Sequence, residues 1–441
     1  MSPTTELLIL SAGGVVMLIT LIAWLRLNAF LALLAAALLV GMGSGMGAVK
    51  VLGSFQDGIG ATLGSIAGVL GLGTMLSGLL AASGGAEVLA QHLIKLFGPK
   101  RVHLALMALG LCIGLTTWFA VGLVMLAPIL ITLARETKEP FLKFAIPLLA
   151  VLSIMHGVMP PHPGPLVALA ALNANLGKIL LWGMFVAVPV AAISGPVFAR
   201  WAVKHVQTET PELPAVDQVR ANRIKPSLGR TVTALVVPIL LLLSQTVAEL
   251  CLPKDHPLSR VTALLGNPSV ALGISVLVAG WAFRFTRAEA LRLGEKALGP
   301  IGITLLIVGG GGGFNRVLRD SGAADAIGQL AATAHLPPLL FGWLCAAMIR
   351  VATGSATVAI TAASGLVAPL VLNNPAVNPE LIVVGIGCGS LFLSHLNDAG
   401  FWIVKETLGL SVAQTLRTWT VTETLVGITG LLVTWGLTCI F

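Results

Sequence analysis

Charged residues are scarce in this sequence, and their scarcity excludes a soluble globular domain. Only 10% of the 441 residues are Asp, Glu, Lys or Arg, while 56% are hydrophobic. Apolar runs of about twenty residues recur along the whole chain, the length needed to cross a hydrocarbon core of roughly 30 Å. We therefore expect a polytopic integral membrane protein that lies in a lipid bilayer.

Cysteine is scarce as well. The five cysteines form no CxxC or other paired pattern, and most lie in apolar runs. We interpret them as packing residues, with no disulfide or metal framework. No HExxH or other close pair of metal ligands is present, so we expect no metal site and no cofactor.

The chain is basic, with a net charge of +8. Its Lys and Arg residues are scattered through connecting loops and are not clustered with aromatic residues, so nucleic acid is not an expected partner. The basic residues instead indicate membrane topology. The first apolar run, residues 7–25, follows Glu6 and no basic residue, which favours a retained span over a cleaved signal peptide.

One long polar stretch, from Arg200 to Arg230, divides the chain. It predicts a first transmembrane repeat at residues 1–205, a cytoplasmic linker at 206–230 and a second transmembrane repeat at 231–441.

The two halves resemble each other at an offset of about 238 residues. Ser83 and Gly84 align with Ser321 and Gly322, and the segment around His156 aligns with the segment around His395. Repeats of this kind are typical of secondary transporters, whose site lies at the repeat interface near the bilayer midplane.

The basic residues also predict an orientation. We take residues 102–134 and 339–372 as hairpins that enter and return on one side, with five full crossings in each half. With the N-terminus outside, most of the 26 Lys and Arg residues then fall inside, as the positive-inside rule requires. The predicted fold is an all-α polytopic membrane protein with two inverted repeats, each of about five transmembrane helices plus a re-entrant helical hairpin and a broken helix. If each hairpin is instead one long crossing, the inversion fails.

A proline-rich segment interrupts one apolar run. The segment 155–165 reads MHGVMPPHPGP, and its four prolines remove backbone donors and stop a helix. Freed backbone groups at membrane depth are tolerated where they are buried in protein or line a wet cavity. The break therefore predicts a polar site, and His156 and His162 are suited to proton coupling because they titrate near neutrality.

The repeat counterpart of this break contains Ser394, His395, Asn397 and Asp398. An ionisable residue inside a membrane is costly and is a functional candidate by default, so Asp398 is the leading acid. Alternatively, Asp398 lies at an interface and caps the helix that starts near Phe401.

Five glycines, residues 309–313, precede Phe314 and Asn315. They permit an unwound segment to which a ligand can approach closely. A phosphate-binding loop would need a following Lys and Ser or Thr, and both are absent. Tight helix packing is the alternative explanation.

The hairpin tips carry hydroxyl groups. Thr353, Ser355 and Thr357 surround Gly354 in the second hairpin, and Thr117 lies at the corresponding place in the first. Hydroxyls and free N–H groups at the start of a half-helix suit a carboxylate or a polyol. Small-residue packing is again the alternative.

Five motifs, in this order, carry a family resemblance: GIGATLGSI at Gly58, PPHPGP at Pro160, GGGGGFNRVLRDSG at Gly309, GSATVA at Gly354 and SHLNDAGFW at Ser394. Over essentially its whole length the sequence resembles the gluconate permeases, the gluconate and proton symporters of bacterial inner membranes, within the ion transporter superfamily. The resemblance implies uptake of gluconate or a similar sugar acid with a proton. The positive-inside rule and the odd number of crossings in each half place both termini outside, which in a bacterial inner membrane is the periplasmic side. D-serine carriers look similar too.

One position departs from the family pattern. Members usually carry a Glu within Phe-x-Glu-Val-Gly in the first hairpin, whereas this chain reads WFAVG, with Ala120 at that place. The change predicts a proton site relocated to His156, His162 or Asp398, an altered substrate choice, or uncoupled transport.

These observations predict a transporter of gluconate or a related sugar acid coupled to protons. The alternatives are a carrier for D-serine or another small hydroxylated carboxylate, a passive channel, or an intramembrane enzyme, although no nucleophile or metal partner is recognisable for an enzyme and no residue is assigned as catalytic. A homo-oligomer is left open. The predicted proton-coupling residues are Asp398, His156 and His395. The predicted substrate-binding residues are Thr117, Ser355, Thr357, His162, Asn397, Gly354, Gly312 and Asn315.

Overall fold

The computed structural model describes residues 3–98, 101–211, 225–252, 256–299, 301–333, 336–396 and 398–440. Within these ranges, eight helical segments are long and apolar enough to cross a membrane. A ninth is counted if residues 257–265 and 268–282, which are bent by 66° at their junction, form one span. The prediction of an all-α, multi-pass membrane protein is confirmed.

The first half begins with three apolar helices and continues through a hairpin, a broken helix and a final long span. The final span contains a π-helical turn, Ile193–Val197, between its two α-helical parts. The helices are α1 Pro3–Ala23, α2 Ala29–Gly43, α3 Ala48–Ser83, α4 Gly85–Phe97, α5 Val102–Gly114, α6 Phe119–Thr137, α7 Leu142–Val158, α8 Pro163–Ala171, α9 Leu176–Ala192 and α10 Phe198–His205.

The second half has six helices before its hairpin and then also continues through a broken helix and a last span. That span also contains a π-helical turn, Leu416–Thr420. The helices are α11 Leu228–Cys251, α12 Pro257–Leu265, α13 Pro268–Ala282, α14 Arg287–Leu298, α15 Ile301–Asp320, α16 Ala323–Thr333, α17 Pro338–Thr353, α18 Ala356–Leu372, α19 Pro379–Gly389, α20 Ala399–Thr407, α21 Val412–Thr415 and α22 Val421–Thr438. Residues 212–224 of the predicted linker lie outside the described ranges, and α11 begins at Leu228 within that predicted linker.

The aligned Ser-Gly pairs adopt the same local structure. Gly84 and Gly322 both have a positive φ, 73° and 77°, which glycine adopts without a steric penalty. In each pair the serine hydroxyl accepts a hydrogen bond from the backbone N–H two residues later, at 2.9 Å for Ser83 and 3.4 Å for Ser321. The halves therefore share this turn as well as the order of hairpin, broken helix and last span, while the inverted orientation stays a prediction.

Both predicted hairpins consist of two helices. In the second, Gly354 has a φ of 69° and ends α17 in a left-handed conformation, a common way to terminate a helix. The start of α17 packs near the end of α18, since a Cβ placed on Gly342 would lie 3.5 Å from Val367. The chain therefore reverses at Gly354, and residues 338–372 do not form one long crossing.

The most enclosed span is the broken helix of the first half. In the segment formed by α7 and α8, 89% of the most apolar window is buried inside the protein. Its break consequently lies deep in the bundle, where backbone groups need protein partners.

Candidate functional site

The first helix break follows from its prolines. α7 ends at Val158 and α8 begins at Pro163, because the fixed φ of proline suits the first position of a helix. His162 precedes α8, and its buried ring lies between two carbonyls, with Nδ1 2.9 Å from the oxygen of Met159 and Nε2 3.1 Å from that of Thr117. The break therefore brings together His162 and Thr117, two of the predicted substrate-binding residues.

His156 lies beside this pair. Its ring centroid is 5.1 Å from that of His162 and 6.3 Å from that of Trp118. Its Nδ1 is buried and has no hydrogen-bond partner among the described residues. A neutral imidazole has both a donor and an acceptor nitrogen, so this half-buried ring retains an unused polar atom there.

The structure confirms the capping role that the sequence suggested for Asp398. Asp398 caps α20, because its Oδ1 accepts a hydrogen bond of 2.7 Å from the N–H of Gly400. The side chain is only 6% exposed, and its location at a membrane interface stays a prediction. Its Oδ2 accepts hydrogen bonds from Ser394 Oγ and from Arg350 Nη2, so the cap is also half of a buried ion pair.

Sequence reasoning did not assign Arg350 to the site. This residue is 4% exposed and lies near the end of α17, where Nη1 also donates a hydrogen bond of 2.6 Å to the carbonyl of Gly354. A basic residue inside an apolar hairpin was the available signal, because buried charges in membranes are rare and are usually paired. Arg350 joins the second hairpin tip to the second helix break.

The remaining tip residues adopt a capping arrangement. Ser355 caps α18, with its Oγ accepting a hydrogen bond of 3.3 Å from the N–H of Val358, and Thr357 is half-buried in the first turn. His395 Nε2 lies 2.9 Å from the carbonyl oxygen of Val351, so the second break holds the end of α17. Asn397 lies outside the described residues.

The last span contributes two side chains to this region. Trp419 Nε1 donates a hydrogen bond of 2.7 Å to Ser394 Oγ, and its ring centroid lies 5.0 Å from that of Phe119 in the first hairpin. Glu423, four residues later and on the same helix face, is 1% exposed. Sequence reasoning missed Glu423 as well, although an acid within an apolar span was visible. We name the group His156, His162, Arg350, Asp398 and Glu423 the central polar cluster.

The five glycines do not unwind. α15 is helical throughout residues 301–320, so the predicted unwound segment is wrong and the packing alternative is confirmed. A Cβ on Gly313 would lie 2.6 Å from the Phe55 ring, and one on Gly58 would lie 2.7 Å from the Cα of Gly313. The glycines are needed because α3 and α15 cross with their backbones close together.

A cavity of about 690 Å³ opens beside this crossing. It lies mainly between α3, α8, α15 and α18, and we name it the main cavity. Asn315 lines this cavity, and within the described residues its Oδ1 and the Oγ1 of Thr361 are buried without hydrogen-bond partners. The polar lining residues are Thr62, Ser65, Asn173, Asn315, Arg319, Asp325 and Asn373.

Four of the eight predicted substrate-binding residues line a cavity. Gly312 and Asn315 line the main cavity, whereas Thr117 and His162 line a small cavity of about 10 Å³ with Leu70 and Gly73 of α3. Gly354, Ser355 and Thr357 are among the lining residues of neither cavity. A volume of 10 Å³ holds at most about one water molecule, so the main cavity is the one with room for a solute.

Ala120 lies half-buried in the first turn of α6. The N-terminus of a helix favours a negative charge, so this position could hold the carboxylate that the family pattern expects. In this chain the charge is absent there, and the acids of the central polar cluster are Asp398 and Glu423.

A membrane-spanning helical bundle with two interrupted helices, a buried charged cluster at the breaks and an adjoining polar cavity has the architecture of a transporter. The chain is similar to the Alcanivorax borkumensis YdaH transporter, with a TM-score of 0.58 and 14% sequence identity, over 88% of this chain and 89% of that one. This likeness concerns the fold alone.

Sequence comparison gives the family. The model of the GntP family permeases matches residues 5–440, so the chain belongs to the GntP permease family, and the resemblance noted in its motifs is confirmed. It is 41% identical to the gluconate permease of Pseudomonas aeruginosa over 98% of this chain and 97% of that protein. It is 39% identical to the Gnt-II system L-idonate transporter of Escherichia coli, over 96% and 97% of the two chains.

Proposed function

We propose that this protein imports gluconate or a related sugar acid across the bacterial inner membrane in symport with protons. The observation that carries the proposal is the main cavity, which is lined by Thr62, Ser65, Asn315 and Arg319. Within the described residues, the Oδ1 of Asn315 has no hydrogen-bond partner, and a polyhydroxy acid offers a hydroxyl donor for it. The names of the relatives at 41% and 39% identity support a sugar acid as the substrate.

The cavity suits such a solute in size and chemistry. Small-molecule sites typically measure about 300–1,000 Å³ and contain a few well-placed polar groups. In this proposal Thr62, Ser65 and Asn315 bind the hydroxyl groups, and Arg319 attracts the carboxylate. Arg319 presents fixed N–H donors that match a carboxylate oxygen pair.

The same proposal includes a second substrate-binding site, which the substrate reaches once the hairpin tips separate. This site is formed by Thr117, His162, Ser355, Thr357 and the backbone at Gly354, with Asn397 assigned to the facing wall. Such a movement exposes the site alternately to the two sides of the membrane. It rests on inverted repeats at residues 1–205 and 231–441, joined by a cytoplasmic linker at 206–230, with both termini periplasmic.

Proton coupling is assigned to the buried titratable groups near the two breaks. His156, Asp398 and His395 are the candidates from the sequence. The ring of His395 is held by a backbone carbonyl, and Asp398 is engaged by Arg350 and Ser394, whereas His156 keeps an unpartnered nitrogen. The arrangement supports a proton site close to the Arg350–Asp398 pair.

Uptake of labelled gluconate into vesicles that contain the purified protein tests the proposal. We expect accumulation that depends on an inward proton gradient. Equilibration without accumulation would contradict proton coupling and favour a channel or an uncoupled carrier. No entry of gluconate would contradict the substrate, and competition by L-idonate or D-serine would then identify the class of acid that is carried. Chemical conversion of gluconate would indicate an enzyme.

A further inference from the structure

Glu423 is the most completely buried acid of the central polar cluster. Its side chain is 1% exposed, and within the described residues neither carboxyl oxygen has a hydrogen-bond partner of regular geometry. The hydroxyl of Ser153 on α7 lies near this carboxyl group without the geometry of a regular hydrogen bond. Because burying an unpaired carboxylate is costly, a purely structural acid would be expected to have a fixed partner.

The surroundings of Glu423 are charged. The two charged groups that act on it are Arg350 and Asp398, which are paired with each other. With Glu423 ionised, these three groups carry one net negative charge, and a proton on Glu423 brings the sum to zero. The helix positions therefore create a place where one proton changes the charge of a buried cluster.

α22 packs against α7, α9, α17, α19 and both π-helical turns, and other ionisable groups lie on these elements. Of the ionisable groups on these elements, Arg350 is the one whose charge acts on Glu423 in the described part of the chain. The ionisable residues on these elements are Lys143, His156, Lys178, Cys345, Arg350, Glu380, Cys388 and Arg417.

We propose that Glu423 takes up and releases the transported proton, and that it does so beside the Arg350–Asp398 ion pair. This inference rests on the proposed symport and identifies its proton-carrying residue. The step forms and breaks a single O–H bond at a carboxyl oxygen, with the proton taken from water on one side of the membrane and returned to water on the other. Glu423 then takes the place of the carboxylate that is missing at Ala120.

The geometry also links the proton on Glu423 to the tip of the second hairpin. Arg350 contacts Asp398 with one terminal nitrogen and the carbonyl of Gly354 with the other. A change of charge at Glu423 alters the balance of forces on Arg350, and Arg350 holds the tip of the second hairpin. An anionic substrate nearby is repelled by an ionised Glu423 and tolerated by a protonated one, so the two solutes bind together.

The test compares Glu423→Gln with wild type in vesicles that contain the full chain. Gluconate exchange, with equal gluconate on both sides and no proton gradient, requires substrate movement without net proton transfer. Accumulation driven by a proton gradient requires both substrate movement and net proton transfer. We expect the variant to keep exchange and to lose accumulation, and we expect Glu423→Asp, which retains a carboxyl group, to restore accumulation.

Glu380→Gln is the matched control. Glu380 is also a buried acid, but its Oε1 accepts a hydrogen bond of 2.9 Å from the N–H of Asn175, which an amide oxygen replaces. The Glu380→Gln variant should keep both gluconate exchange and accumulation driven by a proton gradient. Accumulation at the wild-type level in Glu423→Gln, or loss of exchange together with accumulation in a folded Glu423→Gln protein, would overturn the inference.

Two further observations keep the test decisive. If Glu423→Gln does not fold, the pH profile of accumulation by Glu423→Asp replaces it, and a profile identical to wild type would overturn the inference. If wild type itself exchanges no gluconate, the proposed function fails before Glu423 is tested.

Discussion

Replacing Asp398 by asparagine removes one charge of the buried ion pair and keeps the helix cap. Asparagine and aspartate are comparable N-cap residues, so the hydrogen bond from the N–H of Gly400 to Oδ1 survives the change. What is lost is the negative charge opposite Arg350, which is 4% exposed. The variant therefore isolates the electrostatic role of Asp398 from its capping role.

The expected loss is large because the guanidinium stays buried without its partner. Breaking a buried pair by removing one member typically costs about 3–5 kcal/mol. Glu423 remains near enough to offset part of this, so we expect about 3 kcal/mol in the free energy of unfolding. The double variant Asp398→Asn with Arg350→Met leaves neither of these two charges and should be less destabilised than Asp398→Asn alone.

Denaturant unfolding of the purified protein in detergent measures these differences. Asp320→Asn is the matched control, because Asp320 pairs with Arg316 at 2.9 Å on a partly exposed face of α15. Partly exposed pairs are worth at most about 1 kcal/mol, so this change should be small. The reasoning is refuted if Asp398→Asn costs no more than Asp320→Asn, or if the double variant is as unstable as the single one.

Three further predictions concern packing, substrate binding and topology. Gly58→Ala should destabilise the protein by about 1–3 kcal/mol in denaturant unfolding, since its methyl group overpacks the α3–α15 crossing. Asn315→Ala should raise the KM for gluconate about tenfold, the equivalent of about 1.4 kcal/mol for one lost hydrogen-bonding group. In a cysteine-free background, a membrane-impermeant maleimide added to whole cells should label Lys178→Cys on the outside and leave Lys138→Cys on the inside unlabelled.

Each of these predictions has its own control. Gly60→Ala lies on the same helix with nothing within 4 Å of the added Cβ, and it should be neutral or stabilising; equal losses for the two glycines would contradict the packing argument. Asn373→Ala changes an exposed residue of the same cavity and should affect KM less than Asn315→Ala does. Labelling of both cysteines in intact cells, or of Lys138→Cys alone, would contradict the predicted orientation.

Features that depend on local sequence could be predicted. The membrane class follows from the length of the apolar runs, and the first helix break follows from Pro160 to Pro165, because proline acts on its own turn of helix. The capping role of Asp398 was visible from its position before an apolar run. The alignment of Ser83 and Gly84 with Ser321 and Gly322 was also visible in the sequence, whereas the turn that both pairs form was found in the structure.

Other features depend on residues far apart in the chain. From the sequence, the glycines of α15 were compatible with an unwound segment or with tight helix packing. The close approach of α3 in the structure shows that they serve tight packing. The main cavity has walls from four helices, and no single segment reveals it.

The central polar cluster shows the same division. The sequence alone predicted charged and titratable residues within the apolar part of the chain, because apolar runs surround them. That Arg350 pairs with Asp398, and that Glu423 of the last span lies next to both, was decided by the tertiary structure. Pairing between positions separated by 48 residues, as in Arg350 and Asp398, depends on how whole helices pack, and hydropathy and local propensity carry no information about that packing.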